Sequence, residues 1–499
     1  MSEPSQIPFW KHLRPYLALL FLVGLLISQL LQAPPSVAAT PQHYSELEFP
    51  PLPEVQLPEY EQFQLDNGLK VYLIEEHTLP LVSGVGLIQT GSRLEPADKV
   101  GLASLTGALM RAGGTVSHPP DVLNRQLEQK AASVEASIGT SNGTVRFDAL
   151  SSDLDGVFSL FVEVLREPAF EPQQFALLKN QARGNIARRN DEPRSIANRE
   201  FQKLIYGEQS PYARTMEYET LDGIEREDVQ GFYQDSVQPD RLILGLVGDF
   251  DSTQMKGLIE QKLGDWQATA SSLGDPSSSW SEIAQAETGG LFMVDRPELS
   301  QSYVELGHLG GVRNDPDYPV LGVMNNVLSG FGGRLFNEVR SRQGLAYSVY
   351  GFWGAQYDYP GVFRAGGQTR SEATVPFIEA VRQELDQIRR EPITPEELQF
   401  AQDSTLNSFV FNFASRAQTL SRLLTYDYYD YPTDFLFRYQ DGVRETTVED
   451  VLRVAQTYLN PEQLVTLVVG NRAAIDPPLD AIAPQNDVTL IDVTIPEPS

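Results

Sequence analysis

The chain has 499 residues, no cysteine, five histidines and a formal net charge of −29. The length suits two or three domains with a large buried core, and 41% hydrophobic with 10% aromatic residues marks a globular protein. The missing cysteines exclude disulfides, thiolate metal sites, iron–sulfur clusters and thiol catalysis. The balance of 67 acidic against 38 basic residues argues against a nucleic-acid binder, because phosphate recognition needs a basic face; cationic or neutral partners suit such a field.

The amino terminus has the layout of a targeting segment. Lys11, His12 and Arg14 precede an almost unbroken apolar run over residues 16–31, and Pro34, Pro35, Ser36, Val37, Ala38 and Ala39 follow. That order of basic, apolar and small residues predicts a secretory signal cut near Ala38 or Ala39. The alternative is an uncleaved anchor through residues 16–32, although the run is a little short for the roughly 20 residues that cross a bilayer.

A proline-rich lead-in occupies residues 40–60, and the first strand is expected from Phe63 and Leu65. Asp66-Asn67-Gly68 reads as a type I′ hairpin turn, with the chain returning through Val71, Leu73 and Ile74. A long apolar strand over residues 81–88 precedes a helix with Leu102, Leu105 and Leu109 at helical spacing. Amphipathic segments follow over 155–165, 172–190 and 374–390.

Near residue 290 the order restarts. Arg166-Glu167-Pro168 recurs as Arg390-Glu391-Pro392, Pro172 as Pro395, Glu227-Asp228-Val229 as Glu449-Asp450-Val451, Pro239 as Pro461, and Val247-Gly248 as Val469-Gly470, with offsets of 222 to 224 residues. A period that long is a duplicated domain, not a solenoid. The expected organisation is therefore a signal peptide or anchor over 1–39, the lead-in to 60, a first domain over 61–267, a serine-rich linker over 268–290, a second domain over 291–475, and a proline-rich tail over 476–499 that lies along the surface or is mobile. Hairpins and helices without a regular βαβ rhythm predict an α+β fold: two homologous domains, each an antiparallel-rich mixed sheet packed with helices.

Residues 91–115, reading GSRLEPADKVGLASLTGALMRAGGT, resemble the first-helix signature of the M16 zinc peptidases (insulinase, pitrilysin, mitochondrial processing peptidase), which carries GSR followed by GLAHxxEHMxFxGT. The resemblance implies the LuxS/M16 metallopeptidase-like fold. In active members two histidines at i and i+4 hold zinc and the intervening glutamate is the general base. Here Ser104 and Ala108 stand at the histidine positions and Gly107 at the glutamate position. The family's third ligand is a glutamate about 77 residues beyond the second histidine, completing a His2Glu site; Asn185 stands there. All four positions are substituted, and Ser, Ala and Asn offer zinc neither imidazole nor carboxylate.

A relocated metal site is not expected from His43, His77, His118 and His308, since no two lie within one helical turn. Ser104 lacks a histidine in a neighbouring position and is read as a small packing residue, not a nucleophile. The tyrosine-rich run 426–431 is likewise read as packing.

Residues 329–350, SGFGGRLFNEVRSRQGLAYSVY, resemble the M16 second-domain motif GSRLFxxLRExxGLAYSV and read as a helix over 333–342, closed by Gly344, with a strand opening at Ala346. In active members an arginine and a tyrosine of this motif contact the bound peptide from the half opposite the zinc; the matching positions are Arg340 and Tyr347. The implied function is an exported, non-catalytic subunit of a heterodimeric M16-type zinc peptidase. It would form half of a peptide-binding chamber and supply an Arg/Tyr substrate clamp, with no cofactor of its own and zinc in the partner. Its location would be the periplasm or an equivalent lumen, with membrane attachment only if the amino-terminal segment is retained, and its peptides would be neutral or basic. The alternatives are an M16-derived scaffold or peptide-binding protein with no role in proteolysis, and a peptidase acting alone by other chemistry.

Overall fold

The computed structural model describes residues 57–271, 283–483 and 487–497. The expected targeting segment, His43, almost all of the lead-in and the centre of the serine-rich linker lie outside the described residues.

Two six-stranded sheets organise the chain. The first contains β1 (Glu61–Gln64), β2 (Lys70–Glu75), β3 (Leu81–Ile88), β4 (Ser133–Ile138), β5 (Gly143–Leu150) and β6 (Leu242–Gly248), in the order β1-β2-β6-β3-β5-β4. The second contains β7 (Leu291–Asp295), β8 (Gln301–Leu309), β9 (Ala346–Gly354), β10 (Val362–Arg370), β11 (Val465–Gly470) and β12 (Thr489–Leu490), in the order β12-β7-β11-β8-β10-β9. Five strands of the first sheet have counterparts five strands later at the same places. In both, a parallel pair, β2 with β6 and β7 with β11, sits beside antiparallel pairs, and in the second sheet β12 adds a further parallel pair with β7.

Five helices recur as well. In the first half they are α1 (Leu102–Ala112), α2 (Leu154–Arg166), α3 (Pro172–Ala187), α4 (Pro193–Tyr206) and α5 (Arg226–Ser236). Their counterparts are α6 (Tyr318–Ser329), α7 (Thr374–Arg390), α8 (Pro395–Phe409), α9 (Arg416–Tyr428) and α10 (Val448–Tyr458). Proline opens α3, α4 and α8, where its missing N–H costs nothing.

Each half lends the other a helix. On β2, Val71 and Leu73 face the core beneath α1, α2 and α5, whereas Tyr72 and Ile74 face Leu420, Leu423 and Leu424 of α9. Conversely, Val465, Leu467 and Val469 of β11 pack on Ile196, Phe201 and Ile205 of α4. The central strands are apolar on both faces because both faces are covered. Gly245 makes room for α9, since a Cβ there would stand 2.7 Å from a methyl of Leu424.

The β9–β10 loop wedges between the halves. Its Tyr357 stacks on Tyr429 at 4.9 Å, Tyr359 stacks on Tyr212 at 4.1 Å, and Asp358 pairs with Arg93 at 3.1 Å. Tyr428 donates to the Ser141 carbonyl at 2.6 Å, so the tyrosine-rich run is interface packing.

Two local features differ from expectation. A type I′ turn needs positive φ at two central residues, but in the β1–β2 turn only Gly68 has it, at +93°. Asn67 instead donates its amide to the carbonyls of Leu263 and Trp266, and a wider turn closes between Leu65 and Leu69. In the tail, β12 extends the second sheet beside β7. Beyond it, Asn190 donates to the Val493 carbonyl at 2.6 Å and Ile495 packs on the first core. Among the described residues no helix is long and apolar enough to cross a membrane.

Candidate functional site

Helix α1 starts at a fixed point. Gly101, at φ +108°, turns the chain into it, and the buried Glu95 carboxylate accepts from the N–H groups of Gly101 (3.1 Å) and Ala103 (2.8 Å). A carboxylate there satisfies exposed helix donors and complements the positive end of the helix dipole. Burial pushes the Glu95 carboxyl above its ordinary range, and those two N–H bonds oppose the rise. Arg214 holds the same loop by donating to the Ser92 and Glu95 carbonyls, both at 2.7 Å. Motif spacing does not single out Glu95 and Arg214 in the sequence; the packing around the start of α1 does.

From this start, two faces of α1 diverge. Gly107 lies against β4, where a Cβ would stand 2.4 Å from the Ile138 nitrogen. Ser104 and Ala108, one turn apart, face α3 across a cavity of about 370 Å³ that Asn185 also lines. Three of the four positions matched to the zinc site therefore converge on one pocket, and Gly107 is held on the strand side of the same helix. The remaining wall is Leu105, Leu178, Ala182, Ile186 and Met216, with Gln181, Arg189, Arg199 and Thr215 as polar members. Gln181 and Leu178 lie four and seven residues before Asn185, at helical spacing. That signal could have found them.

The donors in this pocket do not fit a zinc ion. A hydroxyl, a methyl and an amide replace two imidazoles and a carboxylate, and both arginines are taken up elsewhere. Arg189 donates to Glu217 at 2.7 Å, and Arg199 to Glu200 at 2.7 Å and Asn190 at 2.8 Å. The histidines lie outside the pocket. His118 pairs with Glu163 at 2.7 Å, and exposed His77 bridges Asp249 and Glu75. His308 donates from Nδ1 to the Leu309 carbonyl and accepts the Asn460 N–H on Nε2, and its burial lowers its pKa. Among the described residues no three His, Asp or Glu side chains converge as metal ligands.

In the second half, two backbone irregularities present Arg340 and Tyr347. The segment expected as a helix contains a π-helical stretch, Phe336–Arg342, of the kind that often marks functional sites. Tyr347 is the extra residue of a bulge: Gln368 pairs with Ser348 and Thr369 with Ala346. Bulges re-aim side chains, and Tyr347 is 79% exposed on the outer edge of the sheet. The Arg340 guanidinium lies 5.5 Å from the Tyr347 ring centre and 4.8 Å from that of Phe336, within cation–π range. Arg334 anchors the first turn through a bidentate bond to Glu397 at 2.6 and 2.9 Å. Fully exposed Phe331 and half-buried Phe336 flank the pair. The pocket beside α1 is lined only by first-half residues, so Arg340 and Tyr347 form a separate site.

A family model described as "Insulinase (Peptidase family M16)" matches residues 71–217, and one described as "Peptidase M16 inactive domain" matches residues 223–405. The chain belongs to the M16 family. An M16 relative from Bacillus subtilis (strain 168), "Uncharacterized zinc protease YmxG", is 22% identical over 364 residues, covering 72% of this chain and 86% of the relative. "Non-peptidase homolog YmxG" from Helicobacter pylori (strain ATCC 700392 / 26695) is 21% identical over 417 residues, covering 81% and 93%. The crystal structure of a peptidase M16 inactive domain from Pseudomonas fluorescens superimposes with a TM-score of 0.74 at 24% identity, covering 84% of this chain and all of that one. The description "inactive domain" belongs to the model matched by the second half of this M16 chain, and the chain's two sheet-plus-helix domains are those of the family.

Proposed function

We propose that this M16 chain is the exported, non-catalytic subunit of a heterodimeric zinc peptidase, closing half of a peptide chamber and holding substrate through Arg340 and Tyr347. The observation that carries the proposal is the pair itself. A π-helical stretch and a bulge together turn a cation and a phenol outward, in contact with each other and apart from the chain's own degenerate pocket. A scaffold gains nothing from that exposure, whereas a guanidinium can donate to a peptide carbonyl and a phenol to an oxyanion as it forms.

In this division of labour the partner contributes the zinc, and this chain contributes a wall and a clamp. Export rests on the basic, apolar and small-residue order of residues 11–39, and the charge of −29 favours neutral or basic peptides. The test is affinity purification from the native host under mild conditions. The expected result is a second M16 chain containing HxxEH in the exported fraction. Recovery of this chain alone, or only with itself, overturns the proposal.

A further inference from the structure

We infer that the cavity between α7 and the residues leading into β7 binds a free α-amino acid with an apolar side chain. Its volume is about 290 Å³, and none of its lining residues belongs to the pocket beside α1 or to the Arg340 and Tyr347 pair. A hole at the small end of the range for ligand sites, about 300–1,000 Å³, suits one small molecule rather than a length of chain. The inference goes beyond the proposed function and does not depend on it.

The central group is Arg382. At the offset of 224 residues that relates Arg166 to Arg390, Arg382 of α7 stands where α2 carries Phe158, which is fully buried against Phe147 and Phe161. The second half thus holds a guanidinium at a core position of the first. Among the described residues Arg382 donates one hydrogen bond, to Thr466 Oγ1 at 2.9 Å, and forms no ion pair. Burial lowers its pKa, opposed by exposed Glu379 one turn earlier. A half-buried cation without a counter-charge is costly, and a ligand carboxylate accepting from its fork of donors removes that cost.

The rest of the lining is acidic or apolar. Asp386, one turn along α7, is 40% exposed and among the described residues pairs only with exposed Arg390, at 3.4 Å. Glu462 is exposed at the same cavity. These carboxylates disfavour a simple anion and can receive an ammonium group. Leu385 and Leu464 supply an apolar wall, and Gly289 and Gly290, at φ +77° and +95°, leave part of the lining as bare backbone. One cation, two carboxylates and an apolar wall around a single small cavity select a zwitterion with a hydrocarbon side chain over a phosphate or a simple cation.

The test is isothermal titration calorimetry of the isolated full chain with L-leucine. One saturable site is expected. Leucinamide, which lacks the carboxylate, and isocaproate, which lacks the ammonium, should each bind at least tenfold more weakly, the scale for losing a charged hydrogen-bond partner. Arg382→Phe places there the side chain that the first half carries, fills the cavity and should abolish binding. Asp386→Asn changes a partly exposed position and should weaken binding about tenfold with the fold intact, so a poorly folded Arg382→Phe does not end the test. No saturable binding of leucine, or equal affinity for leucinamide or isocaproate, overturns the inference. So does unchanged affinity in Asp386→Asn, or in an Arg382→Phe chain with the parent circular-dichroism spectrum. Neither peptide nor partner enters this measurement, so its failure leaves the subunit proposal standing, and the absence of an HxxEH partner leaves this site standing.

Discussion

Arg93 of the first half and Asp358 of the second form an ion pair at 3.1 Å, with side chains only 4% and 3% exposed. Arg93 belongs to the GSR element that precedes α1, and Asp358 to the loop wedged between the halves, so the pair ties the segment between β3 and α1 to the tip of the β9–β10 hairpin. Desolvation pushes the Asp358 carboxyl up, and Arg93 pulls it back.

Removing one member of this pair should cost far more than removing both. Arg93→Ala leaves a buried carboxylate uncompensated, with an expected loss of about 3–5 kcal/mol, whereas an apolar replacement of both partners should be close to neutral. Urea denaturation of the two single variants and the double variant measures the coupling. Additive losses would contradict a directly coupled pair.

Gly107 is set by contact, not by chemistry alone. A Cβ there would stand 2.4 Å from the Ile138 nitrogen and 2.7 Å from the Ser137 carbonyl carbon of β4, so a side chain pushes strand and helix apart, and Gly107→Ala should destabilise by about 1–3 kcal/mol, as over-packing does. A thermal midpoint equal to that of the parent chain would show that α1 shifts freely on β4.

The convergence of Ser104, Ala108 and Asn185 can be tested by restoring donors. Ser104→His, Ala108→His and Asn185→Glu combined should bind one equivalent of zinc in equilibrium dialysis, because the three positions line one pocket and supply a His2Glu set. The variant should still cleave no peptide, since Gly107 provides no base. Failure to take up zinc would mean that the positions are not placed as ligands.

Buried His308 makes a signed contribution to stability with pH. Its folded pKa is lowered by burial, so it supports the fold above the unfolded histidine pKa of about 6.5, and that support is lost as pH falls through the folded value. Exposed His77 is shifted upward by Asp249 and Glu75 and acts in the opposite sense. His308→Gln should therefore show a shallower fall in thermal midpoint between pH 7 and pH 5 than the parent chain. An identical slope would contradict a neutral, buried His308.

Much of this molecule was legible in its sequence, and for definite reasons. The recurrence of Val247-Gly248 as Val469-Gly470 marked equivalent central strands, and Leu102, Leu105 and Leu109 marked the buried stripe of α1. The exchange of α4 and α9 between the halves was not legible, because apolar periodicity shows that a helix has a buried face but not which sheet covers it. The bulge at Tyr347 and the π-helical stretch at Arg340 were hidden for a similar reason: both are one-residue departures in backbone pairing that leave composition unchanged. The zinc positions could be named from motif spacing, but that Gly107 is pressed on β4 while its neighbours open to a cavity required the packing.

In the proposed heterodimer Arg340 and Tyr347 act on a peptide cut by another chain. Peptide turnover by the purified heterodimer, with the partner's zinc site intact, measures this most directly. Arg340→Ala and Tyr347→Phe should each lower kcat by about a hundredfold, the scale for losing one donor to a developing oxyanion, while the pair still elutes as one species. Undiminished kcat in both variants would contradict a substrate clamp at Arg340 and Tyr347.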